Sequence, residues 1–283
     1  MNFKRKHMTI LVPTDFSKPS KVAVLYAARL AKKLNAEITL LAVINVNIVT
    51  DAIIDWKKRE QDMAETARQA AEQLIREIKE DVKGELKIEY RSIIGFPFEE
   101  MVEHTVISDG FDLIVMGTKG ATRLQKVLVG SNAAAVIDNS SVPVITVPPD
   151  TVFKPVKKIV YATDMTSITE EVKPIAMFAS IFNAAIKVLH VLPGDSSKKI
   201  DGKALAADLI KITNYKKISF HVSRNNSIAD EVDTFVADQK ADLLAMFTNK
   251  LDFYEKLFGK SVTRHLAFHA RVPLLTFNKT TLQ

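Results

Sequence analysis

An internal repeat running the length of the chain constrains the fold more than any other feature. VPTDFS (12–17) returns as YATDMT (161–166), EITLLAVIN (37–45) as AIKVLHVLP (185–193), DLIVMGTKG (112–120) as DLLAMFTNK (242–250), and SVPVITV (141–147) as RVPLLTF (271–277). Four matches in one order mean two copies of a single unit. The chain's 283 residues therefore read as domains 1–150 and 151–283, joined through PPDTVFKP (148–155), where prolines interrupt the periodicity. The first copy is longer by a segment around residues 46–64, which includes Trp56 and the run Lys57, Lys58, Arg59, Glu60. That segment reads either as a lid or partner surface, or as a lengthened surface helix.

Within a copy, short β-branched runs alternate with helical stretches. Strands are expected at 9–12, 37–44, 86–91, 112–116 and 143–147, and helices near 20–34, 62–81, 98–108 and 131–138. The runs LIVM and VITV are apolar on both faces, as in strands covered by helices on each side. Right-handed crossovers then give an α/β fold: two tandem copies of a five-stranded parallel, doubly wound, Rossmann-like sandwich.

Composition removes several chemistries. With no cysteine, the chain has no disulfide framework, thiolate metal site, iron–sulfur cluster or cysteine nucleophile. The longest uncharged runs, 38–50 and 174–186, are 13 residues, short of the ~20 that span a bilayer, so no membrane partner and a cytoplasmic location are expected. The net charge of +6 raises nucleic acid as a partner, but residues 1–150 hold 20 basic and 20 acidic side chains and 151–283 hold 19 and 13. The excess is scattered lysine without a nucleic-acid motif, which argues against that partner.

In doubly wound sheets, ligands bind beyond the carboxyl ends of the strands, where strand order reverses. The residues at those ends are Pro13, Thr14 and Asp15 after the first strand, Val43 near the end of the second, and Met116, Gly117, Lys119 and Gly120 at the fourth. Gly130, Ser131 and Asn132 open the last helix. The stretch MGTKGATRLQKVLVGSN spaces its glycines as G-x2-G-x9-G-S, with Lys119, Arg123 and Lys126 and no acid between them. Glycine admits close backbone approach, and a helix N-terminus favours an anion. Singly, each element has a plainer reading: Asp15 as a helix cap, the glycines as turns, Ser131 as an N-cap, the basic residues as a solvated loop. Jointly they point to a phosphate chain. No G-x-G-x-x-G is present, and Gly259-Lys260-Ser261 fails as a Walker A because Tyr254 stands at its leading position.

This constellation resembles the ATP-binding branch of the universal stress protein family in a tandem two-domain form. The resemblance implies ATP as the ligand, with magnesium or manganese as possible companions. It places Asp15 and the Val43 backbone at the adenine end, Met116 and Gly117 along the adenosine with Gly120 close by, and Gly130, Ser131 and Asn132 around the phosphates. It further implies a nucleotide-dependent regulatory or stress-response module, whose two domains pair within the chain or form a homodimer. A slow ATPase or autophosphorylating enzyme, and a scaffold that binds no nucleotide, are the alternatives. The absence of a Walker B acid or an oriented general base argues against catalysis, and no catalytic or metal-ligating residue is assigned.

The second copy departs from the pattern. It keeps Asp164, but Phe247 replaces Gly117 and Lys250 replaces Gly120, and the following loop carries Asp252 and Glu255. A phenyl ring at the glycine position and acids in the loop both oppose a phosphate chain, so this copy is expected not to bind ATP. Its aromatic residues Phe247, Phe253, Tyr254 and Phe258 read as core or interface packing. His265 and His269 are spaced for a metal but lack a third ligand.

Overall fold

The computed structural model describes residues 8–45, 56–118, 131–248 and 272–279. Two compact units divide the chain near residue 153. The first unit contains β1 (Met8–Pro13), α1 (Lys18–Leu34), β2 (Ala36–Ile44), α2 (Trp56–Asp81), β3 (Ile88–Ile94), α3 (Phe98–Asp109), β4 (Leu113–Gly117), α4 (Ser131–Asn139) and β5 (Val144–Val147). Its strands are parallel and ordered β3-β2-β1-β4-β5. The second unit contains β6 (Lys158–Ala162), α5 (Ile168–Phe182), β7 (Ala185–Leu192), α6 (Gly202–Thr213), β8 (Ile218–Arg224), α7 (Ile228–Gln239), β9 (Leu243–Thr248) and β10 (Leu274–Asn278). Its order, β10-β9-β6-β7-β8, repeats the first.

The local chemistry explains the elements. Helix α1 starts where Ser17 Oγ accepts from Ser20 N–H, has Pro19 in its first turn, and stops at Asn35, which takes a left-handed φ of 52° and donates its N–H to Ala31 O. A small apolar face of Ala23, Val24, Ala27, Ala28, Leu30 and Ala31 lets α1 lie close to the sheet. Ile10, Leu11 and Val12 of β1, like Leu113, Ile114 and Val115 of β4, are fully buried, as expected for strands covered on both faces. Asn183 ends α5 with the same left-handed geometry as Asn35.

Two sequence boundaries shift. Helix α2 begins at Trp56 instead of near residue 62, so the part of the extra segment from residue 56 onward is a lengthened helix, while residues 46–55 lie outside the described residues. Strand β3 runs over Ile88–Ile94, later than expected, because it is an edge strand with exposed positions and lacks the doubly apolar run that marks β4. Among the described residues, no helix is long and apolar enough to cross a membrane.

The repeated aspartate of DLIVMG and DLLAMF has a structural role. Asp112 Oδ2 accepts from Thr9 N–H (3.0 Å), and Asp242 Oδ2 accepts from the N–H groups of Lys157 (2.8 Å) and Lys158 (2.9 Å). Each carboxylate fastens the amino ends of two central strands together, at the edge of the sheet opposite the candidate site.

Candidate functional site

In the first unit, strand order reverses at β1, which pairs with β2 on one side and β4 on the other. The turn after β1 is held by its own polar groups. Pro13 is buried and registers with Leu41. Thr14 N–H donates to Leu41 O (2.9 Å), and Thr14 Oγ1 lies 3.0 Å from Ser20 Oγ and accepts from Phe16 N–H at 3.1 Å. Phe16 adopts a left-handed φ of 58°, and Asp15 Oδ1 accepts from Ser17 N–H (3.0 Å). These bonds turn the chain sharply and leave the Asp15 side chain exposed above the sheet. The helix cap proper is Ser17, so Asp15 shapes the turn without serving as the N-cap.

Val43 is half-buried near the end of β2, and Met116 is buried while Gly117 is half-buried at the end of β4. Thr118 continues the edge, its N–H donating to Val147 O (3.1 Å). Helix α4 starts at Ser131, has no acidic residue in its first turn, and exposes Asn132. The fold thus puts Pro13, Thr14, Asp15, Val43, Met116, Gly117 and the start of α4 at one edge of a parallel sheet. Lys119, Gly120 and Gly130 lie outside the described residues.

The second unit builds the same turn. Thr163 N–H donates to Leu189 O (2.9 Å), Thr163 Oγ1 accepts from Met165 N–H (3.0 Å), Met165 has φ 67°, and Asp164 Oδ1 accepts from Thr166 N–H (2.9 Å). Its surroundings differ. The Lys279 ammonium lies 3.3 Å from Asp164 Oδ2, donates to Thr166 Oγ1 (2.9 Å) and pairs with Glu171 Oε1 (2.9 Å). Lys279 is only 11% exposed and Glu171 1%. The Tyr161 hydroxyl donates to Glu171 Oε2 and lies 3.1 Å from Thr163 Oγ1. Burial opposes charge on Asp164, but the Thr166 hydrogen bonds and the Lys279 ammonium outweigh it and hold the carboxyl below its ordinary range. Burial, and then the Glu171 carboxylate, hold the Tyr161 phenol well above its own.

Phe247, which stands where the first unit has Gly117, is buried. It stacks on Phe277 with centroids 4.8 Å apart and meets Tyr161 edge-on at 6.0 Å. The packing expected of Phe247 is therefore observed; Phe253, Tyr254, Phe258, His265 and His269 lie outside the described residues. His190, at the position of Ala42, donates from Nδ1 to Thr163 O (2.9 Å) and braces the turn. Sequence reasoning missed Lys279, Glu171 and Tyr161. One signal was available: Asn278 ends β10 and Lys279 follows it, where Pro148-Pro149 follows β5.

Comparison with known proteins bears on the family and the fold. A family model described as the universal stress protein family matches residues 6–148. A universal stress protein of Methanocaldococcus jannaschii is 32% identical over 149 residues, covering 52% of this chain and 85% of the relative. A second from the same organism is 29% identical over 151 residues, covering 49% and 93%. Among solved structures, a universal stress protein from Archaeoglobus fulgidus shares the fold with a TM-score of 0.69 at 20% identity, covering 95% of this chain and 96% of its own.

Proposed function

Because the chain belongs to the universal stress protein family, we propose that its first copy binds an adenine nucleotide, ATP foremost, and that the protein is a nucleotide-dependent regulatory module of a cytoplasmic stress response. One observation carries this reading: the Thr14 hydroxyl and the Asp15 carboxylate hold the turn, and Asp15 is exposed at the edge that holds Val43 and Gly117. A carboxylate in that place accepts from an adenine amino group. Gly117 leaves room for the adenosine, and Ser131 and Asn132 at the α4 N-terminus supply donors for phosphate oxygens. Lys119, Gly120 and Gly130 complete the cradle in this proposal. The described residues contain no cluster of three or more metal-ligating side chains, so magnesium or manganese would be held chiefly by the phosphates. When bound, the nucleotide supplies the triphosphate whose presence the module reports.

The test is nucleotide content. The protein is purified without added nucleotide and denatured, and the supernatant is resolved by ion-pair chromatography with mass detection. One adenine nucleotide per chain is expected. Two per chain would contradict the second copy's exclusion, and none, together with no heat of ATP binding in calorimetry, would remove the proposal.

A further inference from the structure

We propose that the second copy has converted the counterpart of the nucleotide position into a site for a primary ammonium group, filled in this chain by Lys279. The inference rests on the reading above only in taking Asp164 as the counterpart of Asp15. The rest is local geometry. Three side chains converge on one Nζ: Asp164 Oδ1 and Oδ2 at 3.4 and 3.3 Å, Thr166 Oγ1 at 2.9 Å and Glu171 Oε1 at 2.9 Å. The ammonium donates hydrogen bonds to Asp164 and Thr166, and the buried Glu171 Oε1, which accepts no hydrogen bond, faces it as an ion pair. Glu171 is almost fully buried in the first turn of α5 and is anchored on its other oxygen by the Tyr161 hydroxyl, so it is aimed before the cation arrives. A buried carboxylate without a cation is strongly unfavourable, which makes the pocket selective for a positive charge.

The first copy carries none of this set. Val12, Val22 and Pro149 stand where the second has Tyr161, Glu171 and Lys279. The substitutions are coordinated: a carboxylate, its phenolic anchor and the lysine are all present in one copy and all missing from the other. The second copy's site is thus a rebuilt cation pocket closed by the chain's own side chain. It excludes nucleotide independently of Phe247, because the Lys279 ammonium occupies the carboxylate that adenine would need.

Chemical rescue tests this inference. Lys279→Ala, in the full chain, should lower the melting temperature by about 10 °C, since it strands a buried charge. Propylammonium chloride at tens of millimolar should recover at least half of the loss in a saturable way. Tetramethylammonium chloride at equal ionic strength should not, because it has no N–H to donate. The double variant Lys279→Met with Glu171→Gln removes both charges; it should fold and melt above Lys279→Ala, with no response to propylammonium. If Lys279→Ala does not fold, the double variant together with Lys279→Arg, which keeps the cation, still decides: both folding supports the pocket, and the double variant failing overturns it. Unchanged melting of Lys279→Ala, or equal stabilisation by both salts, also overturns it. Nucleotide content is read separately, so amine rescue with an empty first copy would retain the ammonium site and remove the nucleotide proposal.

Discussion

Asp15 and Asp164 occupy the same turn, with the same bond to the residue two positions on and the same left-handed residue between, and both are exposed, yet Asp164 is paired with a lysine at a position where the first copy has Pro149. The backbone design survived duplication because Thr14 and Thr163 both carry it, each hydroxyl accepting the N–H two residues later. What diverged is everything that decides what the carboxylate faces. A motif such as TDxS or TDxT therefore reports the turn and not the ligand. In the proposals above the ligand depends on residues distant in sequence: position 117 or 247 at the end of the fourth strand, and position 149 or 279 beyond the fifth.

The largest expected effect comes from making the first copy resemble the second. Gly117→Phe should weaken ATP binding in calorimetry by roughly 100-fold, the ~3 kcal/mol that forced overpacking typically costs. In the second copy the ring at this position rests on Phe277 and Tyr161, whereas the first copy has Val147 and Val12 there and offers no aromatic partner to hold it out of the ligand's space. Unchanged affinity would show that the nucleotide does not sit over β4.

The same contrast explains what the sequence could reveal. Strands β1 and β4 were legible because burial on both faces demands unbroken apolar runs, and the repeat fixed their partners. The start of α2 was not, since Lys57, Lys58, Arg59 and Glu60 carry no apolar period. The DLIVMG motif was found as a repeat, but its aspartate proved to tie Thr9 at the amino end of β1, because repetition marks structural and ligand-facing residues alike. Lys279 was legible only as a change from Pro149, not as a contact. It acts on Asp164 and Glu171 more than a hundred positions earlier, and no local spacing encodes such a contact.

Alanine at the two aspartates should separate their roles. Asp15→Ala should weaken ATP binding roughly tenfold, the low end of what a hydrogen bond to a charged group is worth, with little change in melting. Asp164→Ala should leave nucleotide content unchanged and lower the melting temperature by a few degrees, a modest figure because its carboxylate is 44% exposed. The pH dependence should distinguish them too. The Asp164 carboxyl is held below its ordinary value, so its contribution is present above the unfolded value of about 4 and is lost as pH falls from there through the folded value. Urea midpoints measured against pH should therefore drop less steeply below pH 4 in Asp164→Ala than in the wild type. An identical slope would mean that Lys279 and Thr166 do not stabilise the charged form.

The smallest effect lies at the edge strands, where the copies again answer one position differently. Arg91 on β3 pairs with Asp109 at the end of α3, whereas His221 on β8 hydrogen-bonds Ser219 Oγ (2.9 Å) and packs against Phe235 with ring centroids 5.1 Å apart, opposite a region where Gln239 replaces the acid. Without that carboxylate, burial and then the Lys187 ammonium push the His221 imidazole below its ordinary value. The unfolded chain then takes up a proton first as pH falls below about 6.5, so this histidine costs stability from there down through its lowered folded value. His221→Gln, which keeps a hydrogen-bonding group for Ser219, should flatten the decline in melting temperature between pH 7 and pH 5 by a degree or so, the scale of a few tenths of a kcal/mol at a half-buried site. Arg91→Gln should leave that interval unchanged, since a guanidinium does not titrate there. A decline that survives His221→Gln intact would place the titrating group elsewhere in the chain.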